Sequence, residues 1–191
     1  ELLRRVESEL AARHDVVVAA RLGFENKYCL VTRRAAAEAQ RLETLSDLAR
    51  VTRELSIGGD YEFFSRSEWS ALERTYGFAF REQRAMDPAL LYEAAKQEQV
   101  DVIAAYSTDG RIDAFGLTVL DDDATVIPPY DAVVLVSGRL ARERPDVVER
   151  LRALEGTIDA SRMRELNREV DQRGRTPREV GRAASRRASG P

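Results

Sequence analysis

The sequence predicts an α/β fold with mainly parallel strand pairing. Short runs of apolar residues with strand composition occur at residues 15–20, 28–32, 56–59, 102–105 and 132–136. Segments with helical spacing of apolar residues, or with helix-capping residues, lie between most of these runs. Strands that alternate with helices along a chain are typical of α/β proteins, in which the helices cover a largely parallel sheet.

Composition limits the classes of protein that are possible. The chain has 191 residues, of which 43% are hydrophobic and 33% charged, and its net charge is -3. This composition is typical of a globular protein, with length for one sizeable domain or two small lobes. Because acids and bases are interspersed and no basic stripe is present, nucleic acid is not predicted as a partner. No apolar run reaches the roughly 18 residues that a membrane-spanning helix needs.

Residue types that carry chemistry are scarce. The single cysteine, Cys29, excludes an internal disulfide, and the single histidine, His14, lies in a polar setting. No glycine-rich phosphate loop is present, and Asp121 and Asp122 are adjacent rather than opposed across a cleft. The sequence therefore predicts no catalytic residues, no metal site and no cofactor, and the protein is not expected to be an enzyme.

Helix signals fill most of the first half of the chain. Residues 1–13 and 35–41 have helical patterns, and Thr44 has the composition of an N-cap. Trp69, Leu72 and Tyr76 form an apolar stripe that Gly77 ends, and Asp87 with Pro88 begins another helix. Tyr92 on that helix is interpreted as a packing residue.

The later segments follow the same logic. Residues 78–80 alternate as a strand does, and residues 144–154 are predicted to be helical. Asp159 and Thr176 are predicted N-caps of two further helices. Residues 186–191 are small and basic, and are expected to form a disordered tail.

Residues 101–136 contain two strand-like runs, each adjoined by a tyrosine and a turn sequence. The apolar run at 102–105 ends in Tyr106 and then in Ser-Thr-Asp-Gly, a turn sequence. Pro128-Pro129 precedes Tyr130, which stands just before the next apolar run. Two aromatic residues thus lie where strands meet loops, the edge at which open α/β sheets bind ligands. The alternative is that both tyrosines pack at the rim of the core.

The segments YSTDGRI and PPYDA resemble the substrate-binding proteins of osmoprotectant ABC importers of the glycine betaine/choline/carnitine type. Five further segments resemble the same family in the same order: GFENKYCLV, TLSDLA, EFFSR, MDPALLYEA and LNREVDQRGRTPREVG. The resemblance covers residues 22–180. The chain departs from the usual family pattern at Glu25, Lys27 and Ala104, so polar contacts near those positions are expected to differ from those of the family.

The resemblance implies a two-lobed fold of the type II periplasmic-binding-protein kind. Residues 1–27 would end the first lobe and cross over, residues 28–104 would form the second lobe, and residues 105–185 would return to the first lobe and its terminal helices. The N-terminal part of the first lobe would be missing. The chain begins without methionine inside a helical pattern, so we expect it to be a piece of a longer protein.

The resemblance also implies a binding site. Tyr28, Tyr106 and Tyr130 would form three walls of an aromatic cage for a quaternary ammonium group, which cannot donate hydrogen bonds and binds to the faces of aromatic rings. Arg66 would bind the ligand's carboxylate, which favours betaines without excluding choline or carnitine. Asn26 and Thr108 are further predicted ligand-binding residues. Without the resemblance, Tyr28 would be interpreted as a core aromatic and Arg66 as a surface arginine.

The implied function is to bind a glycine betaine-like solute between the lobes and deliver it to an ABC permease with its ATPase. The location would be the extracytoplasmic face of the membrane or the periplasm. The segments GGDYEFF, SEW and AYSTDGR resemble versions fused behind a permease more than free lipoproteins. A ligand-sensing effector domain of a transcription regulator is the alternative function, although no basic recognition helix is evident. An enzyme on the same fold has the least support.

Overall fold

The computed structural model describes residues 2–188. Its strands are β1 (Val16–Glu25), β2 (Tyr28–Arg33), β3 (Ser56–Gly59), β4 (Glu82–Ala85), β5 (Val102–Tyr106), β6 (Leu117–Val119) and β7 (Asp131–Ser137). Its α-helices are α1 (Leu2–His14), α2 (Arg34–Gln40), α3 (Leu45–Ala49), α4 (Ser67–Tyr76), α5 (Pro88–Lys96), α6 (Arg111–Ala114), α7 (Gly138–Glu143), α8 (Pro145–Arg152), α9 (Ala160–Asp171) and α10 (Pro177–Ala188). Short 3₁₀ helices occur at Thr52–Glu54 and Phe63–Ser65.

The strands form two sheets, and the α/β class is confirmed. The larger sheet has the order β4-β3-β5-β2-β6, and β1 pairs with β7 in a separate two-stranded sheet. The prediction of mainly parallel pairing is wrong, because only β3 pairs in parallel, with β4 and β5, whereas β2 runs antiparallel to both β5 and β6. The reason is topological: β2 leads into the larger sheet and β5 leads back toward the same end, so the two strands must run in opposite directions.

Both faces of the larger sheet are buried, as the alternation of side chains along β2 shows. Tyr28 and Leu30 belong to one hydrophobic cluster, and Cys29 and Val31 belong to the other. The first cluster also holds the aromatic residues that follow β3, while the second is completed by α5 and α6. Since successive residues of a strand point to opposite faces, Tyr28 is committed to the aromatic side of the sheet.

The predicted helix boundaries are largely confirmed by their caps. The side chains of Thr44, Asp87 and Asp159 accept hydrogen bonds from backbone N–H groups in the first turns of α3, α5 and α9. Thr176 likewise accepts from the N–H of Glu179 at the start of α10. Gly77 ends α4 in the left-handed conformation, at a φ of 69°.

Residues 78–80 do not form the predicted strand. Phe78 and Phe80 instead pack on Trp69 of α4, with ring centroids 6.3 Å and 6.1 Å from the indole. The strand begins two residues later, as β4, whose side chains are exposed. The alternating pattern therefore reflects packing onto a helix rather than pairing in a sheet.

The chain stays on the larger sheet for longer than expected. Residues 105–127 were assigned to the return to the first lobe, but β6 pairs with β2. Leu120 and Ile127 are buried in the same hydrophobic cluster as Leu30. The chain leaves this sheet only near Pro128, so the expected boundary at residue 105 lies too early.

The smaller sheet has its own core. Ala19 and Val136 pack with Val148 of α8. Gly23 is part of β1 at a φ of +108°, where the register with β7 is irregular. Helix α10 runs through Ala188, three residues into the stretch expected to be disordered, and residues 189–191 lie outside the described part.

Within residues 2–188, none of the helices combines the length and the apolar character needed to cross a bilayer.

Candidate ligand-binding site

Strand pairing places two of the predicted cage tyrosines together. Tyr28 begins β2 and Tyr106 ends β5, and the two residues are direct partners in the antiparallel register. Both side chains point to the same face of the sheet. Their ring centroids are 4.8 Å apart at an interplanar angle of 30°, and the hydroxyl of Tyr106 donates to the hydroxyl of Tyr28 at 3.0 Å.

The third tyrosine comes from the other sheet. Glu25 at the end of β1 pairs with Asp131 at the start of β7, and the N–H of Asn26 donates to the carbonyl of Tyr130 at 3.1 Å. Only two residues separate β1 from β2, so this pairing brings Tyr130 close to the start of β2. Tyr106 and Tyr130 are each 39% exposed, whereas Tyr28 is 7% exposed. Tyr28 is thus the buried member of the group and the other two are open to solvent.

Arg66 lies beside these rings. It follows the 3₁₀ helix after β3 and immediately precedes α4. Its Cζ atom is 5.5 Å from the ring centroid of Tyr28, and its Nη2 donates to Oε1 of Glu68 at 3.3 Å. Its Nε is buried without a hydrogen-bond partner. The guanidinium therefore keeps one donor unused next to the aromatic group.

Glu68 is a residue of this site that the sequence analysis did not select. It lies in the first turn of α4 with a side chain only 10% exposed. Its Oε1 accepts from the hydroxyl of Tyr130 at 2.9 Å, and its Oε2 accepts from Ser67 at 3.1 Å. Its own backbone N–H, Tyr130 and Arg66 together lower the pKa of the carboxyl to about 2. Glu68 is therefore ionised at neutral pH and links Arg66 to Tyr130.

Asp60 is the second such residue, and it holds Tyr28 in place. Its Oδ2 accepts from the hydroxyl of Tyr28 at 2.9 Å, and its Oδ1 accepts from the N–H groups of Glu62 and Phe63. Burial, together with hydrogen bonds to Tyr106 and Asp60, raises the pKa of Tyr28, so its phenol stays neutral. The signal available in the sequence was position, because Asp60 directly follows the glycines that end parallel strand β3, the strand edge at which ligand sites form.

Asn26 and Thr108 join the two connections between the sheets. The hydroxyl of Thr108 donates to Oδ1 of Asn26 at 2.8 Å, and the N–H of Lys27 donates to the hydroxyl of Ser107 at 3.2 Å. Asn167 of α9 donates to the carbonyl of Thr108 at 2.8 Å. In this structure the Asn26 and Thr108 side chains bond to each other, and their contact with a ligand stays a prediction.

Tyr92 supports Tyr106 from the opposite face of the sheet. It is 2% exposed, as expected of a packing residue, and its hydroxyl accepts from the N–H of Tyr106 at 3.4 Å. The Cζ atom of Arg111 lies 3.9 Å from the Tyr92 ring centroid, and Arg111 pairs with Asp109 at 2.7 Å. Asp109 and Arg111 therefore form a local ion pair beside the Tyr92 ring.

The described part of the chain offers no group of metal ligands, and its one thiol is buried. Within residues 2–188, no group of three or more histidine, cysteine, aspartate or glutamate side chains is placed to hold a metal ion. Burial raises the pKa of the Cys29 thiol to about 12, so it is a protonated core residue. The site combines aromatic faces, one guanidinium and two carboxyl groups held by hydrogen bonds.

The fold and this cluster define a binding domain of the two-lobed α/β class. Residues 3–185 match the family described as the substrate binding domain of ABC-type glycine betaine transport systems. The chain belongs to this family.

Relatives and solved structures agree with that assignment. The chain is 34% identical over 157 residues to the carnitine transport binding protein OpuCC of Listeria monocytogenes, covering 81% of this chain and 51% of that protein. It is 29% identical to the ergothioneine transport permease/ergothioneine binding protein EgtU of Helicobacter pylori, covering 83% of this chain and 29% of that protein. A solved glycine betaine/carnitine/choline ABC transporter structure superposes with a TM-score of 0.92 at 33% identity, covering 97% of this chain and 68% of that one. The chain thus spans about half the length, or less, of these two curated relatives.

Proposed function

We propose that this chain captures a quaternary ammonium solute, glycine betaine-like in its head group, and delivers it to an ABC permease for uptake. The observation that carries the proposal is the convergence of Tyr28, Tyr106 and Tyr130 with Arg66 at the point where the two sheets meet. Relatives named for carnitine and for glycine betaine support the class of ligand.

The aromatic group accounts for recognition of the cation. A trimethylammonium group carries a spread positive charge and no N–H donor, so water and hydrogen-bonding side chains hold it weakly. Ring faces attract it, with each contact contributing on the order of 1 kcal/mol and more when water is excluded. Tyr106 and Tyr130 are exposed enough to meet a ligand. Tyr28, buried beneath them, would offer its ring as the floor of the site.

Arg66 accounts for recognition of an anionic group where the ligand has one. The unpartnered Nε and the two Nη groups form the planar fork that binds a carboxylate through parallel hydrogen bonds. The guanidinium lies over the Tyr28 ring at 5.5 Å from its centroid, within cation–π distance, so a carboxylate bound to Arg66 would lie beside the aromatic group.

Delivery follows from the placement of these residues on two sheets. Tyr130 precedes β7 of the smaller sheet, whereas Tyr28 begins β2 of the larger sheet and Arg66 lies in the segment that follows β3 of that sheet. A ligand that contacts both parts binds most tightly when they are closed around it, so it shifts the population toward the closed form. A permease that works with an ATPase would recognise the closed form at the extracytoplasmic face of the membrane.

A physical link to the permease is part of the proposal. The H. pylori relative is named as both a transport permease and a binding protein. Fusion of the two functions in one chain raises the effective concentration of the binding domain at its transporter.

The test is calorimetric titration of the full-length protein that contains this chain with glycine betaine. We expect saturable binding, loss of binding in Tyr106→Ala and weaker binding in Arg66→Ala. Tyr61→Ala and Arg74→Ala are matched controls, because Tyr61 is 71% exposed and Arg74 lies on the exposed side of α4. Binding that neither Tyr106→Ala nor Arg66→Ala alters would refute the assignment of the site.

A further inference from the structure

Arg66 already has an acidic partner within the chain. Its Nη2 lies 3.3 Å from Oε1 of Glu68, and its Nη1 lies 3.8 Å from Oε2 of Glu62. The two acids differ in setting, because the Glu62 side chain is 81% exposed and the Glu68 side chain is 10% exposed. Glu68 therefore stands where a ligand's carboxylate would approach the guanidinium.

The charges fixed around the aromatic group do not cancel. Asp60 and Glu68 are both buried, and both are bonded to cage tyrosines through their hydroxyl groups. Both oxygens of Asp60 accept hydrogen bonds from neighbouring donors. Among the described residues that hydrogen-bond or ion-pair with Tyr28, Tyr130 and Arg66, two buried carboxyl groups thus face one guanidinium. Acidic groups therefore outnumber the one basic group of the site before a ligand enters.

Tyrosine hydroxyls do not relieve this excess. Tyr106 donates to Tyr28, Tyr28 donates to Asp60, and each hydroxyl is directed toward an existing acceptor. Tyr130 donates to Glu68 in the same way. A second carboxylate brought to Arg66 would have to lie beside Glu68 and would repel it in a partly buried setting, where screening is weak.

We propose that Glu68 is a specificity-determining residue, which makes this site select a quaternary ammonium monocation without a carboxylate, choline-like, over a zwitterionic betaine. The inference rests on the proposed function and refines its ligand. Choline and glycine betaine share the trimethylammonium head and differ at the other end, where one has a hydroxyl and the other a carboxylate. The hydroxyl can donate to Glu68, whereas the carboxylate cannot.

The experiment measures two affinities on the same preparation of the full-length protein. Choline and glycine betaine are titrated in turn into the wild type, Glu68→Gln and Glu62→Gln. We expect the wild type to bind choline more tightly than glycine betaine. Glu68→Gln should shift the ratio of the two dissociation constants toward glycine betaine on the order of tenfold. Glu62→Gln removes the same charge from an exposed position and should shift the ratio by less than about twofold, because water screens it.

The ratio separates selectivity from folding, since a partly unfolded sample loses both affinities together. If Glu68→Gln does not fold, Arg66→Gln tests the same charge balance, and choline binding should then tighten. An unchanged ratio in Glu68→Gln, or a wild type that prefers glycine betaine, would overturn the inference while leaving the proposed function intact. A wild type that binds neither solute would refute the proposed function itself.

Discussion

Tyr28 and Tyr106 lie directly opposite each other in the β2–β5 pair, with their hydroxyl oxygens 3.0 Å apart. The pair continues to Asp60, which accepts from Tyr28 at 2.9 Å and also fixes the N–H groups of Glu62 and Phe63. One hydrogen-bonded chain thus connects the exposed Tyr106 to the turn that follows β3. That turn leads to Arg66, so the positions of the aromatic rings and of the guanidinium depend on each other.

Tyr28→Phe tests this chain of hydrogen bonds. The substitution keeps the ring but leaves Oδ2 of Asp60 without its donor in a buried setting. We expect the free energy of unfolding to fall by about 1–3 kcal/mol, the cost of a buried unsatisfied group. Urea denaturation provides the measurement. Tyr61→Phe is the control, since Tyr61 is 71% exposed and its change should stay within about 0.5 kcal/mol. Equal urea midpoints for Tyr28→Phe and the wild type would contradict the prediction.

The three tyrosines and Arg66 could be predicted from the sequence for a specific reason. Each stands at a fixed offset from a strand end or a turn, so short motifs identify them. Their mutual distances depend on register, since Tyr28 meets Tyr106 only because β2 and β5 are antiparallel partners. The sequence pattern favoured parallel pairing, so the topology that brings these residues together was predicted wrongly. Their role in ligand binding stays a prediction.

Glu68 could not be selected from the sequence, and the one signal for Asp60 was its position directly after the glycines that end β3. Both are acids in a chain with 33 acidic residues, and nothing in their spacing distinguishes a buried carboxylate from a solvated one. Their role depends on contacts that cross the fold, from Asp60 to β2 and from Glu68 to the start of β7. The strand predicted at 78–80 failed for a related reason, because packing of Phe78 on Trp69 gives the same alternation as a sheet.

Tyr92→Phe should make the backbone at Tyr106 more mobile without changing the Tyr106 ring. The hydroxyl of Tyr92 accepts from the N–H of Tyr106 and contacts Asp109, whose partner Arg111 lies over the Tyr92 ring. Losing that acceptor should speed amide hydrogen exchange at Tyr106, with a stability loss of about 1 kcal/mol. Hydrogen exchange followed by NMR resolves the single amide.

A matched control for that experiment is Tyr76→Phe. Tyr76 also has a hydrogen-bonded hydroxyl, but its partners are Asp122 and the N–H of Ala124. The control should speed exchange at Ala124 and leave Tyr106 unchanged. Equal exchange rates at Tyr106 in Tyr92→Phe and the wild type would show that Tyr92 acts through its ring alone.

Gly59→Ala should destabilise the aromatic layer beneath the site. A Cβ at Gly59 would lie 3.0 Å from ring atoms of Phe63 and Phe64, and Phe63 packs on Tyr28 with centroids 5.1 Å apart. Overpacking of this kind costs about 1–3 kcal/mol.

Gly181→Ala is the opposite case, because nothing lies within 4 Å of its added Cβ inside helix α10. It should stabilise the protein by up to about 1 kcal/mol. Thermal melting tests whether Gly59→Ala lowers the melting temperature and Gly181→Ala raises it. A Gly59→Ala protein as stable as the wild type would show that the rings of Phe63 and Phe64 shift freely.

Glu68 makes the stability of this region depend on pH in a defined direction. Hydrogen bonds from its own N–H, Tyr130 and Arg66 lower the pKa of the folded carboxyl from its ordinary 4.5 to about 2. The unfolded state therefore takes up a proton at a higher pH than the folded state does. The stability that Glu68 contributes is complete above its unfolded pKa and is lost as the pH falls from 4.5 toward 2.

The difference in unfolding free energy between the wild type and Glu68→Gln should consequently be larger at about pH 6 than at about pH 3, where the unfolded carboxyl is already protonated. Urea denaturation at the two pH values measures it. Tyr130→Phe removes one of the donors that lower the pKa of Glu68. In the folded Tyr130→Phe protein, the Glu68 carboxyl should therefore titrate at a higher pH than in the wild type. The pH range over which Glu68 loses its contribution to stability should then end at a higher pH. A difference that stays constant between the two pH values would mean that the buried carboxylate gains nothing from Tyr130 and Arg66. The selectivity proposed for Glu68 would then lose its structural basis.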